Sequence, residues 1–245
     1  MNPILLIPAR LAATRLPNKP LADIEGVAMV VRVMRQAAAA GLGPVAVAAG
    51  DQAIVDAVVA AGGRAVLTDP DLPSGSDRIL AALRQIDPAG RHDVVINLQG
   101  DIPFIAPEAI SACARLLVDH PSCDIGTVMV AEAAVEERSN PDIPKVVAAM
   151  SPDRRSGRAL YFTRSELYGD DPVWLHHGIY AYRRTALEAF CAAPPSPLER
   201  RERLEQLRAL EMGLTIWAVV IDEAPISVDN PADLERARAF ARTMS

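Results

Sequence analysis

The sequence predicts an α/β protein: a mostly parallel central sheet flanked by helices, with a mixed-sheet extension in the C-terminal half. Three observations carry this. Short apolar runs alternate with helix-length segments through the first half of the chain. Hydrophobic residues make up 50% of the 245 and aromatics only 4%, so the core is aliphatic, as suits helices packed on a buried sheet. Beyond residue 120 the alternation gives way to strand-like runs with fewer helices between them.

In chain order, Ile4 to Ile7 reads as a buried strand, followed by a loop rich in Arg, Pro and Lys. Ala28 to Ala40 reads as a helix stopped by Gly41 and Gly43, and Pro44 to Ala48 as a second strand. Gln52 to Ala61 is helical up to Gly62-Gly63, Ala65 to Thr68 is a strand, Ser76 to Ile86 a helix, and Asp93 to Leu98 a nearly all-apolar strand. Such βαβ units place ligands beyond the carboxyl ends of the strands. Later strands are expected at Ile125 to Ala131, Lys145 to Ala149, Ala159 to Thr163 and Gly178 to Tyr182. Ser196-Pro197-Leu198-Glu199 opens one strongly signalled helix, which Gly213 ends. Asn230-Pro231-Ala232-Asp233 opens the last. The expectation is one domain over residues 1–245, with halves 1–120 and 121–245.

Composition narrows the function classes. A net charge of −6 gives no general basic footprint for nucleic acid, so none is expected as a partner. The three cysteines, Cys113, Cys123 and Cys191, are widely spaced and form no zinc or disulfide pattern. The apolar run before Arg10 is too short for a signal peptide or a membrane span, and no later run reaches roughly 20 uncharged apolar residues. The expectation is a cytoplasmic protein without membrane insertion.

Five constellations could carry chemistry. Pro8-Ala9-Arg10, Thr14-Arg15-Leu16-Pro17 and Lys19-Pro20 set three cations in one proline-stiffened loop after the first strand. Arginine forks and a lysine charge suit phosphate oxygens; the alternative is a solvated basic loop. Neither GxxxxGK nor GxGxxG is present, which points away from a P-loop or a dinucleotide cofactor. In Asn97-Leu98-Gln99-Gly100-Asp101-Ile102-Pro103, polar residues end an apolar strand, so Asp101 is placed to hold Mg²⁺ or to cap the next turn. In Val228-Asp229-Asn230-Pro231, Asn230 is the N-cap and Asp229 is a second metal carboxylate or a turn residue. Pro73-Ser74-Gly75-Ser76-Asp77-Arg78 wraps a nucleobase edge or caps a helix. In His176-His177-Gly178-Ile179-Tyr180 the two histidines face opposite sides of a strand, so at most one serves a site.

Together, IPARLAATRLPNKPLADI (Ile7 to Ile24), PSGSDR, NLQGDIP, ALYFTR, HHGIYAYRR, PPSPLERRERLEQLRALE and VDNPADLERAR resemble, in order, the 3-deoxy-manno-octulosonate cytidylyltransferases. The resemblance implies a nucleotidyltransferase fold of the GT-A-like type. Its nucleotide-binding half is 1–120 and its acceptor-binding and dimerisation half is 121–245. It implies a homodimer that transfers CMP from CTP to a sugar acid, with Mg²⁺ as cofactor. By resemblance, Ala9, Arg10, Thr14, Arg15 and Lys19 bind the CTP phosphates, and Ser74, Gly75 and Arg78 surround the cytidine. Asp101 and Asp229 hold Mg²⁺ and, with Arg10 and Lys19, form the catalytic set. Gln99 also binds the nucleotide, and Gln99, Arg164, His176, Tyr180, Glu205 and Gln206 line the acceptor pocket. Three positions depart from the pattern. Gly50 replaces an acidic residue, Ile102 replaces a glutamate, and the stretch between Arg164 and His176 is short and lacks an Ile-Pro pair. Rival readings are an acceptor of another kind (an 8-amino analogue, a sialic or a pseudaminic-type acid), another base with a sugar phosphate, or a non-catalytic nucleotide-binding relative.

Overall fold

The computed structural model describes residues 1–12, 16–169 and 171–244. The chain forms two compact units, Met1–Ser111 with Pro225–Ser245, and Ala112–Ala224.

The first unit opens with β1 (Pro3–Ala9), every residue of which is buried. The run PILLIPA has no polar alternation because both faces are covered. A tight hairpin follows, β2 (Asp23–Ile24) and β3 (Val27–Ala28), turned by Glu25 and Gly26 with φ of 48° and 77°. That is the left-handed pair a two-residue hairpin requires. Then come α1 (Met29–Ala39), β4 (Val45–Ala49), α2 (Gln52–Ala60), β5 (Ala65–Leu67), α3 (Gly75–Ile86) and β6 (Val94–Leu98). The four longer strands pair in parallel in the order β5-β4-β1-β6. Each of these elements lies within two residues of its sequence expectation; the hairpin had none.

The second unit takes up most of α4 (Pro107–Asp119), a helix the sequence reading did not place. A proline starts it, but Ala106 precedes it where a capping Ser, Thr, Asp or Asn would have signalled the boundary. β7 (Ile125–Ala131), α5 (Glu136–Ser139), β8 (Lys145–Met150), β9 (Ser156–Thr163) and β10 (Trp174–Arg183) follow. Next are α6 (Arg184–Ala192), α7 (Pro197–Glu202), α8 (Gln206–Glu211) and β11 (Ile216–Val220). Strand order is β10-β7-β11-β9-β8; only β7 and β11 run parallel, so this part is the mixed sheet the sequence predicts.

The single helix expected near residue 200 is a correction: it is two, α7 and α8. The Ser196 capping box with Glu199 starts α7 as read, but Arg203 sits in the left-handed region (φ 57°) and ends it. Two gains offset that strain. Leu204 and Leu207 become buried, and Arg208 grips Glu199 with two bonds of 2.9 Å. In an unbroken helix those two residues would stand about 13 Å apart along the axis, out of reach.

The chain closes with α9 (Pro231–Thr243), capped reciprocally by Asn230 and Asp233. Its buried Leu234, Ala237 and Ala241, with Val228, pack against Ile24 and Met29. That cluster is why the chain returns to the first unit at Pro225, so the division differs from the halves drawn at residue 120. Cys113 and Cys123 are buried, and burial pushes both thiols upward, Cys123 to about 12. Among the described residues no helix is long and apolar enough to cross a membrane.

Candidate active site

In the first unit the carboxyl ends of β1, β4 and β6 carry the expected loops. Ala9 ends β1, and its carbonyl accepts from Gly50 N at 2.8 Å. Arg10 follows, exposed. Leu11 N donates to Asp51 Oδ2 at 2.8 Å, fixing the loop's departure. Thr14 and Arg15 lie outside the described residues. Asn18 takes the left-handed conformation (φ 55°), and the short 3-10 turn Lys19–Leu21 follows, anchored by buried Pro20.

Lys19 then makes the central contact. Its Nζ lies 2.8 Å from Asp101 Oδ2 and 3.1 Å from Asp229 Oδ1. Burial pulls its pKa down, but the charges of Asp101 and then Asp229 outweigh that and hold it above the ordinary lysine value. Three segments far apart in sequence meet here, and each is locally held. Gly100 lets the turn after β6 come close to β1, since a Cβ there would sit 3.0 Å from Pro8 O. Val228 N donates to Asp101 O at 2.9 Å, which ties the two aspartate segments together. Asp229 N donates to Asp233 Oδ2 at 2.9 Å, so the helix cap also sets the second carboxylate.

Among the described residues no three His, Cys, Asp or Glu gather in one group. The convergent pair Asp101 and Asp229 offers oxygen donors only. One or two carboxylates completed by substrate phosphates is the set that suits Mg²⁺, so these residues fit that ion.

Of the two readings of the Ser74 segment, the geometry shows the helix cap. Ser74 caps α3, accepting from Asp77 N at 3.1 Å and donating to Asp77 Oδ2 at 2.7 Å. Gly75 brings that first turn against Pro8, with Gln99 Oε1 near its α-carbon; Gln99 itself donates to Asn97 Oδ1 at 3.3 Å. Arg78 is 2% exposed and donates to Thr68 Oγ1, Asp69 O and Pro70 O at 2.8 to 3.0 Å. It thus braces the loop after β5. A Cβ on Gly50 would lie 2.7 Å from the Arg78 guanidinium and 3.2 Å from the Arg10 Cβ, which gives the glycine at this departure a packing role.

Of the acceptor set expected from the resemblance, Gln99 lies in the first unit and the other five residues lie in the second. A bulge in β10 between His177 and Tyr180 breaks the simple alternation assumed from sequence. His176 is buried against Phe162 and Tyr180, with Nε2 3.0 Å from Thr127 Oγ1. Thr127 donates its hydroxyl hydrogen to Ile179 O at 2.7 Å, so His176 Nε2 carries the proton. Burial, then the neighbouring histidine, lowers His176 to about 3. Burial, with Tyr182 and Glu205 next, raises the Tyr180 phenol. Glu205 leads into α8, and Gln206 is 6% exposed with its Nε2 lacking a partner among the described residues. The Arg164 guanidinium donates to Glu202 O, Pro141 O and Asp142 O.

Sequence reasoning missed Glu202, Thr127 and Lys145. Lys145 is fully buried, its ammonium donating to Asn140 O and Arg164 O. Only the PLERRERLEQ run hinted at Glu202.

A parallel α/β sheet with a cationic loop after its first strand and two carboxylates converging beyond the strand ends defines the α/β nucleotidyltransferase class. The sequence model described as cytidylyltransferase matches residues 4–216. A 3-deoxy-manno-octulosonate cytidylyltransferase of Rhodospirillum centenum is 55% identical, covering 98% of this chain and 93% of that one. One of Methylobacterium radiotolerans is 56% identical, covering 98% and 96%. The chain belongs to the 3-deoxy-manno-octulosonate cytidylyltransferase family. A solved CMP:2-keto-3-deoxy-manno-octonic acid synthetase in complex with CTP superposes with a TM-score of 0.91 at 35% identity, covering 100% of both chains. A 4-diphosphocytidyl-2C-methyl-D-erythritol synthase of Anaerococcus prevotii shares the fold, with a TM-score of 0.66 at 11% identity over 98% of each chain.

Proposed function

We propose that this chain transfers CMP from CTP to the anomeric hydroxyl of 3-deoxy-manno-octulosonate, releasing pyrophosphate, as a Mg²⁺-dependent cytoplasmic homodimer. The convergence of Asp101 and Asp229 on Lys19 is the observation that carries this reading. The activities named for its relatives supply the nucleotide and the acceptor.

The acceptor hydroxyl attacks the α-phosphorus in line. The new O–P bond forms as the bond from the α-phosphorus to the bridging oxygen breaks, and the electron pair leaves with pyrophosphate. Arg10 and Lys19, with Arg15 by resemblance, hold the β- and γ-phosphates and stabilise the charge that builds on the leaving group. Asp101 and Asp229 would hold Mg²⁺, which when bound neutralises phosphate charge and makes the acceptor hydroxyl more acidic. Arg164 presents a planar cation to the acceptor carboxylate, and Gln206 offers a buried amide donor to an acceptor hydroxyl. No side chain need act as nucleophile, because positioning and charge stabilisation account for most of such a transfer.

The test follows pyrophosphate release from CTP and Mg²⁺ with 3-deoxy-manno-octulosonate, its 8-amino analogue and a sialic acid as acceptors. Release should depend on the first acceptor and on metal, and Asp101→Asn should lower kcat at least about 100-fold. Normal turnover by Asp101→Asn would remove the metal assignment, and preference for another acceptor would change the substrate.

A further inference from the structure

The end of β9 and the break between α7 and α8 form one hydrogen-bonded assembly in which a single carboxylate, Glu202, takes most of the donors. Tyr161 Oη donates to its Oε1 at 3.3 Å. Thr163 Oγ1 and the Arg164 backbone N–H both donate to its Oε2 at 3.1 Å. Thr163 Oγ1 in turn accepts from Ser165 N at 3.0 Å, so the backbone on both sides of Arg164 is fixed through the same carboxylate.

The Glu202 main chain acts on the side chain of the same arginine. Its carbonyl accepts from Arg164 Nε at 3.2 Å. In an unbroken helix from Pro197 to Glu211 that carbonyl would be taken by the Gln206 N–H four residues on. The left-handed turn at Arg203 ends α7 one residue after Glu202 and leaves the carbonyl for the guanidinium. Pro141 O and Asp142 O accept from Nη1 at 2.8 and 3.3 Å. Three carbonyls on Nε and Nη1 therefore set the plane of the fork. Among the described residues nothing takes the hydrogens of Nη2, so that nitrogen is left to donate to an anion. No carboxylate is among the acceptors of the guanidinium described here, so its positive charge stays available while its orientation is fixed.

We infer that Glu202 is a positioning residue for acceptor recognition: it orients Arg164 toward the carboxylate of the sugar acid. This rests on the proposed reading of Arg164 as the partner of that carboxylate. The positive charge of Arg164 and its Nη2 donor suit a monocarboxylate, bound with a geometry that a flexible arginine would have to be ordered to reach.

The experiment measures KM for 3-deoxy-manno-octulosonate, KM for CTP and kcat for Glu202→Ala, Glu202→Gln, Arg164→Ala and the Glu202→Ala/Arg164→Ala double variant. Thermal melts accompany the kinetics. Glu202→Ala should raise the acceptor KM about tenfold or more while the CTP KM stays within twofold. Glu202→Gln, which keeps one accepting oxygen and the backbone carbonyl, should fall between. In the Arg164→Ala background the Glu202→Ala change should add less than about threefold, since the two act as one unit. An acceptor KM unchanged in both Glu202 variants, an equal rise in both KM values, or full additivity overturns the inference. An acceptor KM unchanged in Arg164→Ala removes the underlying reading instead, and the two failures are told apart by that single variant.

Discussion

Replacing Lys19 by methionine tests the site at its centre. Among the described residues Lys19 is a cation that both Asp101 and Asp229 contact, at 2.8 and 3.1 Å, and the change takes that shared charge from between the two carboxylates. Their facing oxygens are then no more than about 6 Å apart, which costs about 3 kcal/mol at an effective dielectric of 20 and under about 1 kcal/mol in water. With side chains 26% and 39% exposed, screening trims the upper figure, and a loss of about 1–2 kcal/mol is expected at pH 7.5 and low salt.

The sign follows from linkage. Lys19 has a folded pKa raised above the ordinary lysine value near 10.5, so its contribution is complete below that value and is lost as pH rises through the higher folded one. The gap between Lys19→Met and the parent protein in urea unfolding should therefore be equally open at pH 7.5 and pH 9 and narrow as pH rises beyond about 10.5. Added Mg²⁺ should raise the stability of the variant at pH 7.5 more than that of the parent, because the metal then faces two carboxylates without a competing ammonium. Equal stability at pH 7.5, or a gap that already closes between pH 7.5 and pH 9, would refute Lys19 as the counter-ion. A gap that Mg²⁺ leaves untouched would refute the metal pair.

Two further predictions concern the second unit. His176 and His177 are lowered by burial to about 3 and about 4, whereas an unfolded chain takes up protons near 6.5. Stability should be complete above pH 6.5 and decline as pH falls, by about 2 kcal/mol per histidine at pH 5. Urea unfolding of His176→Asn at pH 7.5 and 5 should show a shallower decline than the parent, and an identical decline would refute the assignment. Arg208→Met strips Glu199 of a bidentate partner in a pair whose side chains are 7% and 12% exposed, and it takes the guanidinium donor from the Ala193 carbonyl and one of two donors from the Phe190 carbonyl. A loss of about 3 kcal/mol is expected in urea unfolding, and a loss below about 1 kcal/mol would mean that α7 and α8 are held together otherwise.

The first unit was legible in sequence because its signals are local. β1 and β6 are continuous apolar runs, α3 and α9 carry N-caps in register, and glycines punctuate α1 and α2. The family motifs pointed to candidate site residues in the same way, each from a few neighbours in the chain. Failures fell where a distant partner decided the outcome. Nothing within PLERRERLEQ requires a break at Arg203; burial of the two leucines and the grip of Arg208 on Glu199 supply it. The β10 bulge that brings His176 and Tyr180 together is marked in HHGIY only by Gly178, and its position belongs to the pairing with β7.

By itself the sequence determined the α/β class, most element boundaries, the caps and the family, since periodicity, capping and motif order are properties of neighbouring residues. Only the tertiary structure decided that residues as far apart as Lys19, Asp101 and Asp229 share one point. That meeting depends on burying α9 beside Ile24 and Met29 and on one backbone bond from Val228 to Asp101. The same holds for Glu202. Its role comes from a carbonyl released by a helix break and a carboxylate set against the end of β9, contacts across nearly forty residues of chain that no local pattern encodes.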